Sequence, residues 1–404
     1  MKSGLNFLVA ARQCEIGELE QLALTSELVS AIGRLIHSLQ KERGISNVFL
    51  GSHGTRFQTQ RLQQSAECAD IELKVREHFD TLDTDSSQVR NGARLFSRIA
   101  FVLHALDSLP ELRQRIGEQG LTPEESTIAF ARLISGLLVV VFEAADSSTD
   151  PDISRALVAL FNFMQGKEFT GQERALGSAA FASGHTDHAH QQQWLHLIES
   201  QDRCFQVFGE FADPPVLHAW NNSQTGESLA ELERLRRIGA MPHAGGKLDV
   251  NLSQAWFDCC TRRIDTMRSV EDVLAAHLRQ LCERKIAQAR TELRDQQAIL
   301  EELSRRADAD HPDASAHYGP QLERSVLGMV QEQARRLQDM SDELETVRAA
   351  LNERKIVERA KGLLMATRKL SEEDAYKMLR QTAMSQNRKL VDVADSVLAM
   401  AAYL

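Results

Sequence analysis

What this chain lacks narrows it first. Only eight prolines interrupt 404 residues, and no period-two alternation or strand–helix–strand rhythm develops along it. A sheet-based fold is thereby disfavoured. The long stretches rich in Leu, Ala, Glu, Gln and Arg at helical spacing read as all-α, and the length calls for two or more domains. Cys14, Cys68, Cys204, Cys259, Cys260 and Cys282 show neither Cys-x-x-Cys nor zinc-finger spacing, so they read as reduced thiols of a cytoplasmic protein. No stretch approaches 18 apolar residues and the N-terminus has no secretory pattern, so neither a membrane span nor export is indicated. Phosphate loops, Gly-x-Ser-x-Gly elbows and His-Glu-x-x-His pairs are missing as well. The expectation is therefore not an enzyme, with no metal and no cofactor. His185, His188 and His190 cluster near Asp187, but one carboxylate is thin support for a metal, and solvated loop histidines are the simpler account.

Charge is unevenly spread. Residues 351–404 hold ten Lys and Arg against seven Asp and Glu, a net +3 in a chain whose total is −10, which leaves −13 for the first 350 residues. A basic tip on an acidic body points to a polyanionic partner for the tip. Three short amphipathic helices are legible in it. In the first, Ile356, Ala360 and Leu363 share one side, while Arg354, Lys361 and Arg368 line the other at steps of seven. A solvated charge stripe and an RNA-facing one both fit that pattern. Gly362 lies inside this helix, where glycine costs about 1 kcal/mol relative to alanine, so close approach of a partner or neighbouring helix is expected there. Ser371 reads as the N-cap of the second helix, with Asp374 placed to reach back. Ala375, Met378 and Leu379 point inward, and Tyr376 and Arg380 lie four apart on another side. That pair is either a platform for an unstacked base or part of the small core. Asn387, Arg388 and Lys389 lead into the third helix, whose inward residues are Leu390, Val393, Ala394, Val397 and Leu398.

This segment resembles the ANTAR domain, through Arg354, Ile356, Ala360-Lys361-Gly362, Leu364-Met365, Ser371, Ala375-Tyr376, Leu379-Arg380, Met384, Asn387-Arg388, Leu390 and Val393-Ala394. Position 369, often glycine in that family, is Lys here. The resemblance implies a three-helix module of bacterial antiterminators that binds paired RNA stem-loops through their loop bases. The candidate RNA-binding residues are Arg354, Lys361, Arg368, Tyr376, Arg380, Asn387 and Arg388.

The acidic body contains an internal echo. Glu42-Arg43, Ser52 and Thr55 recur as Glu173-Arg174, Ser183 and Thr186 at a constant offset of 131 residues. Duplicated bundles would give this spacing, with chance similarity as the competing account. Each Glu-Arg lies in an otherwise apolar run, where a charge is either ion-paired inside the bundle or held for a ligand. The cationic knot Arg234-Leu235-Arg236-Arg237 follows an amphipathic run from Leu229, and a solvated face is its bland reading.

Lys41-Glu42-Arg43-Gly44, Gly51, Leu109-Pro110-Glu111-Leu112-Arg113, Lys167-Glu168, Gly171-Gln172-Glu173-Arg174-Ala175, Ala180-Phe181-Ala182, Trp256 and Arg263-Ile264 make roughly residues 25–300 similar to the nitrate- and nitrite-sensing (NIT) domain. The resemblance implies two antiparallel four-helix bundles with nitrate or nitrite held between them by arginines. Nitrate is a flat monoanion with three acceptor oxygens, and a guanidinium fork meets such an ion better than a compact, strongly hydrated ammonium does. The candidate nitrate-binding residues are Arg43 first, Arg236 second and Arg174 third.

Between body and tip, Ala307–Ser315 reads as a flexible break. After Gly319-Pro320 a helix carries Val330, Leu337, Leu344 and Leu351 at one heptad position and Gln333, Met340 and Val347 at the other. Either a short coiled coil across a homodimer or packing on the chain's own body satisfies that repeat. The expected organisation is a NIT-like helical domain over 1–305, a linker over 306–320, a coiled-coil-like connector helix over 321–350 and an ANTAR-like three-helix domain over 351–404. The expected function is a one-component transcription antiterminator. Nitrate or nitrite enters the body, and the tip binds leader mRNA stem-loops so that RNA polymerase reads through. The rival reading is a ligand sensor whose tip docks a protein partner.

Overall fold

The computed structural model describes residues 4–82, 92–224, 226–240, 246–310, 320–370 and 372–401; side chains at some helix positions, Arg354 and Val330 among them, lie outside that description. All regular structure in the described residues is α-helical. The chain forms two compact units, residues 1–160 with 271–344 and residues 161–270 with 345–404.

In the first unit α1 (Gly4–Gly51), α2 (Gln58–Asp80), α3 (Gly92–Asp107) with α4 (Leu109–Gly117), and α5 (Pro123–Ser147) form a four-helix bundle. The third rung is split at Ser108, where Pro110 suits the first turn of a new helix but not the interior of an old one. Val29, Ile32, Leu35, Ile36 and Leu39 of α1 recur at helical spacing and are fully buried. Thr122 and Glu125 start α5 with a reciprocal capping box, the Thr hydroxyl accepting from the Glu125 N–H and the Glu carboxylate from the Thr122 N–H. Contrary to the sequence reading, α5 is long and apolar enough by composition to cross a membrane. Phe130, Ile134, Leu137, Val140 and Val141 of this helix are wholly buried in the bundle, as expected of a helix that is apolar on most sides.

The second unit repeats the plan with α6 (Pro151–Ser183), α7 (His188–Phe211), α8 (Pro214–Ser223) with α9 (Glu227–Ala240), and the start of α10 (Leu252–Asp310). Asp187 caps α7 by accepting from the His190 N–H and also meets the His190 ring, so this carboxylate and histidine have a structural task. Trp194 and Trp256 pack edge to face, 4.9 Å between ring centroids, with Phe181 beside both. The rings close onto glycines. A Cβ on Gly239 would run into Trp194 and one on Gly177 into Trp256.

The same unit holds residues 345–368 of α11 (Pro320–Arg368), with α12 (Glu372–Gln386) and α13 (Leu390–Ala401). Ala360, Leu364, Ala375, Leu379, Ala383, Val393 and Ala394 form the core of this three-helix group.

Several boundaries differ from those read in the sequence. Helix α10 continues through Asp310, because Ala307 and Ala309 are good helix formers and Pro312 is the first residue that cannot continue a helix. Residues 311–319 lie outside the described residues, as does the cap assigned to Ser371. Connector and first tip helix are one continuous helix, and the division between the two compact units falls within it at 344/345. The amino half of that helix packs on its own body: Arg336 bonds Glu292 of α10 at 2.7 Å and Glu15 of α1 at 2.8 Å. Leu337 faces out at 54% exposure, whereas Leu344, Val347 and Leu351 are buried. Lys369 ends α11 with φ 53°, the left-handed conformation that favours glycine after a helix and explains why glycine would be at ease there.

Gly239→Ala should overpack the Trp194 site and destabilise the protein by about 1–3 kcal/mol, read as a lower denaturant midpoint with an unchanged helical spectrum.

Candidate functional site

The two Glu-Arg pairs found by repeat spacing occupy matching places. Glu42 and Arg43 in α1, and Glu173 and Arg174 in α6, are all buried. Each glutamate is gripped by an arginine from the third rung of its bundle. Arg113 of α4 donates Nε to Glu42 Oε1 at 2.8 Å and Nη2 to Oε2 at 2.9 Å. Arg236 of α9 donates Nε to Glu173 Oε1 at 2.8 Å and Nη2 to Oε2 at 2.6 Å. The second rung completes each grip. The Ser65 hydroxyl donates to Glu42 at 2.7 Å, and Gln201 Nε2 donates to Glu173 at 2.7 Å, with the Trp194 indole adding a bond at 3.0 Å.

Burying four charges is costly, and only two-pronged geometry with every oxygen satisfied offsets it. Burial pushes the Glu173 carboxyl up, but the charge and hydrogen bonds of Arg236, with those of Gln201 and Trp194, outweigh it and hold the group below its ordinary value. For Arg236, burial acts downward and Glu173 overrides it, so the guanidinium stays charged. Beside the first grip, burial and then Glu42 push the Cys68 thiol up to about 12, so it remains a protonated core residue.

The candidate anion ligands therefore differ in situation. Arg43 belongs to the first unit; Arg174 and Arg236 belong to the second. Arg174 donates Nη1 to the Thr261 hydroxyl at 3.1 Å and lies over the Phe257 ring. Arg236 is committed to Glu173, Gln201 and Glu233, the last at 2.9 Å. Of its five N–H groups, four are engaged.

In the tip, the cationic line is broken. Arg368 is exposed, but Lys361 is buried and its ammonium bonds Glu358 at 2.9 and 3.0 Å. Lys361 lies about 60° from Leu364 on the helical wheel, at the margin of the buried face, and a carboxylate one turn back captures it. The side chain of Arg354 lies outside the described residues. A Cβ added at Gly362 would meet nothing within 4 Å beyond its own helix, so the close neighbour expected there is not part of this chain's described structure. Arg388 is exposed yet engaged, donating to the Asp392 carbonyl and the Ser396 hydroxyl at 2.9 Å. Asn387 is exposed with φ 50°.

Tyr376 and Arg380 are held by a neighbour that sequence reading missed. The Tyr376 ring lies 4.7 Å from the Arg203 guanidinium and 5.1 Å from the His196 ring, both on α7. Arg380 forms an ion pair with Glu199 of the same helix. His196, Glu199 and Arg203 are spaced at three and seven, one face of a helix. That spacing is visible in the sequence, but nothing there says what covers it.

A profile described as nitrate and nitrite sensing, NIT, matches residues 34–279, and the ANTAR domain profile matches residues 345–398. The nitrate regulatory protein of Klebsiella oxytoca is 33% identical over 400 residues, 98% of this chain and 95% of that one. The chain belongs to this NIT–ANTAR family. A solved structure described as that of the NasR transcription antiterminator is 31% identical, covers 99% of both chains and superposes with a TM-score of 0.61. The all-α architecture read from periodicity is that of the family. Within a NIT–ANTAR chain the glutamate grips gain a meaning: Arg113, quoted in sequence only as part of a motif, is the counterpart of Arg236.

Glu173→Ala, which leaves Arg236 buried without its partner, should cost about 3–5 kcal/mol, whereas replacing both residues by apolar ones of similar volume should cost far less. Because the folded value of Glu173 is depressed, its contribution is complete above the unfolded carboxylate value of about 4.3 and is lost as pH falls through the folded one. Chemical denaturation between pH 7 and pH 3 should show that acid-side loss in the wild type and a smaller one in Glu173→Gln.

Proposed function

We propose that this NIT–ANTAR protein is a one-component transcription antiterminator: its helical body binds nitrate or nitrite, and its tip then binds stem-loops of leader RNA, prevents terminator formation and lets RNA polymerase continue. It acts in the cytoplasm, uses no cofactor beyond the anion and catalyses no reaction. Arg43, Arg236 and Arg174 are the guanidinium candidates for the anion. Two tips joined in a homodimer would engage two hairpins with a higher effective concentration than one tip.

The observation that carries the mechanism is the capture of Tyr376 and Arg380 by α7. An aromatic ring and a guanidinium four residues apart form a platform for a loop base, and here both are already occupied. On this reading the conformation described is the masked one. Masking is local, built from His196, Glu199 and Arg203, and does not need the whole body's negative charge. Its strength also fits. A half-exposed ion pair contributes about 0–1 kcal/mol and a cation–π contact about 0.5–2 kcal/mol. That sum, about 0.5–3 kcal/mol, does not exceed the 1–3 kcal/mol by which a bound effector typically shifts a second site, so nitrate affinity can open the mask.

A Glu199→Ala, Arg203→Ala double variant should bind a two-hairpin leader RNA about 5–150-fold more tightly than the wild type when nitrate is absent, measured by gel shift. Unchanged dependence on nitrate would remove the mask, and a tip without loop-base preference would point to a protein partner. Arg43→Ala should abolish the nitrate response in a read-through assay while leaving nitrate-free RNA affinity as it was. A normal nitrate response in that variant would show the anion site to be misplaced.

A further inference from the structure

Asn387, Arg388 and Lys389 join α12 to α13, and each is placed differently at that corner. Asn387 takes the left-handed conformation, φ 50°, which asparagine tolerates better than most side chains. Its N–H bonds the Met384 carbonyl at 3.3 Å, and the Arg388 N–H bonds the Ala383 carbonyl at 3.0 Å. These two bonds form a Schellman closure of α12, with asparagine where glycine is commoner. Arg388 then turns onto the next helix. Its Nη2 donates to the Asp392 carbonyl and to the Ser396 hydroxyl, both at 2.9 Å, and Ser396 donates to the same carbonyl at 2.7 Å. Both Nη2 hydrogens are thereby engaged, and Nη1 donates to Gln386 at 3.3 Å. Lys389 is exposed and has no hydrogen bond or ion pair with a described residue.

The corner continues the line that Tyr376 and Arg380 begin. On the helical wheel Asn387 falls about 20° from Tyr376 and about 16 Å further along the axis of α12. Met384, 71% exposed, lies between Arg380 and the corner. The Arg388 fork ties this corner to α13, which carries Val393 and Ala394 of the tip's core. A corner closed at α12 and braced on α13 presents its outward side chains in set positions before any partner arrives, which lowers the ordering cost of binding.

We propose that Arg388 is a positioning residue for RNA and not a contact to it: anchored by Ser396, it holds the corner so that Lys389 meets a phosphate and Asn387 a base edge beside the Tyr376–Arg380 platform. The proposal rests on the RNA-binding reading of the tip and reassigns roles within it. Lys389 joins the interface, Ser396 becomes the anchor, and Arg388 leaves the set of contacts. A lysine ammonium meets phosphate as a point charge. An asparagine amide offers both donors and an acceptor to a base.

The test is gel-shift binding by the full-length protein with sodium nitrate present, at several salt concentrations and alongside melting curves. The probes are a two-hairpin leader RNA and the same RNA with every loop base changed to uracil. Ser396→Ala removes no charge. It should weaken binding about tenfold, keep the salt slope and narrow the difference between the two RNAs, and Ser396→Thr should restore wild-type behaviour. Arg388→Lys keeps the charge but loses the planar fork, and should match Ser396→Ala. Lys389→Ala should lower the salt slope by about 1. Wild-type affinity in Ser396→Ala or in Arg388→Lys would overturn the proposal, as would an unchanged slope in Lys389→Ala. A lower melting temperature in Ser396→Ala with loop preference intact would reveal a merely structural bond and also overturn it. If the wild type binds neither RNA, or both alike, the RNA-binding reading falls and this assignment falls with it.

Discussion

Each bundle is organised by a carboxylate that has been taken out of water and given a two-pronged arginine. The grip joins the first helix to the third rung, and Ser65 or Gln201 adds the second. Desolvation makes such a pair a poor source of net stability, yet removing one partner is severe. Its value lies in geometry. Glu173 fixes the orientation of the Arg236 guanidinium through two parallel hydrogen bonds.

Each grip balances its own charges, one carboxylate against one guanidinium. An interior of low effective dielectric makes the addition of one small anion a large local event, while the same anion at the exposed surface would be screened.

The contacts described at Tyr376 and Arg380 are polar and aromatic. Tyr376 and Arg380 meet three side chains on one face of α7. A large hydrophobic interface would need more free energy to open than the differential affinity of a small ion can provide. The three-helix tip keeps its own core of Ala360, Leu364, Leu379 and Val393, so its fold does not rest on that contact.

Helix content, the duplication at Glu42 and Glu173, and the small core of the tip were legible in the sequence. Each depends on local periodicity or on residue identity repeated at a fixed offset. The fate of charged residues was not. Lys361 looked solvent-facing and is captured by Glu358; Gly362 suggested a close neighbour and faces open space; α5 was not singled out, though its apolar run fills the first bundle. The continuity of α11 was missed because heptads and tip helix were read as separate units. The sequence by itself determined an all-α chain with a duplicated sensor and a basic output module, since periodicity and motif spacing are properties of the chain. Only the tertiary structure decided that Arg113 and Arg236 are partners of buried glutamates, and that α7 meets Tyr376 and Arg380 of the tip. Those pairings join residues tens to hundreds of positions apart, and pairing across such distances is a property of packing.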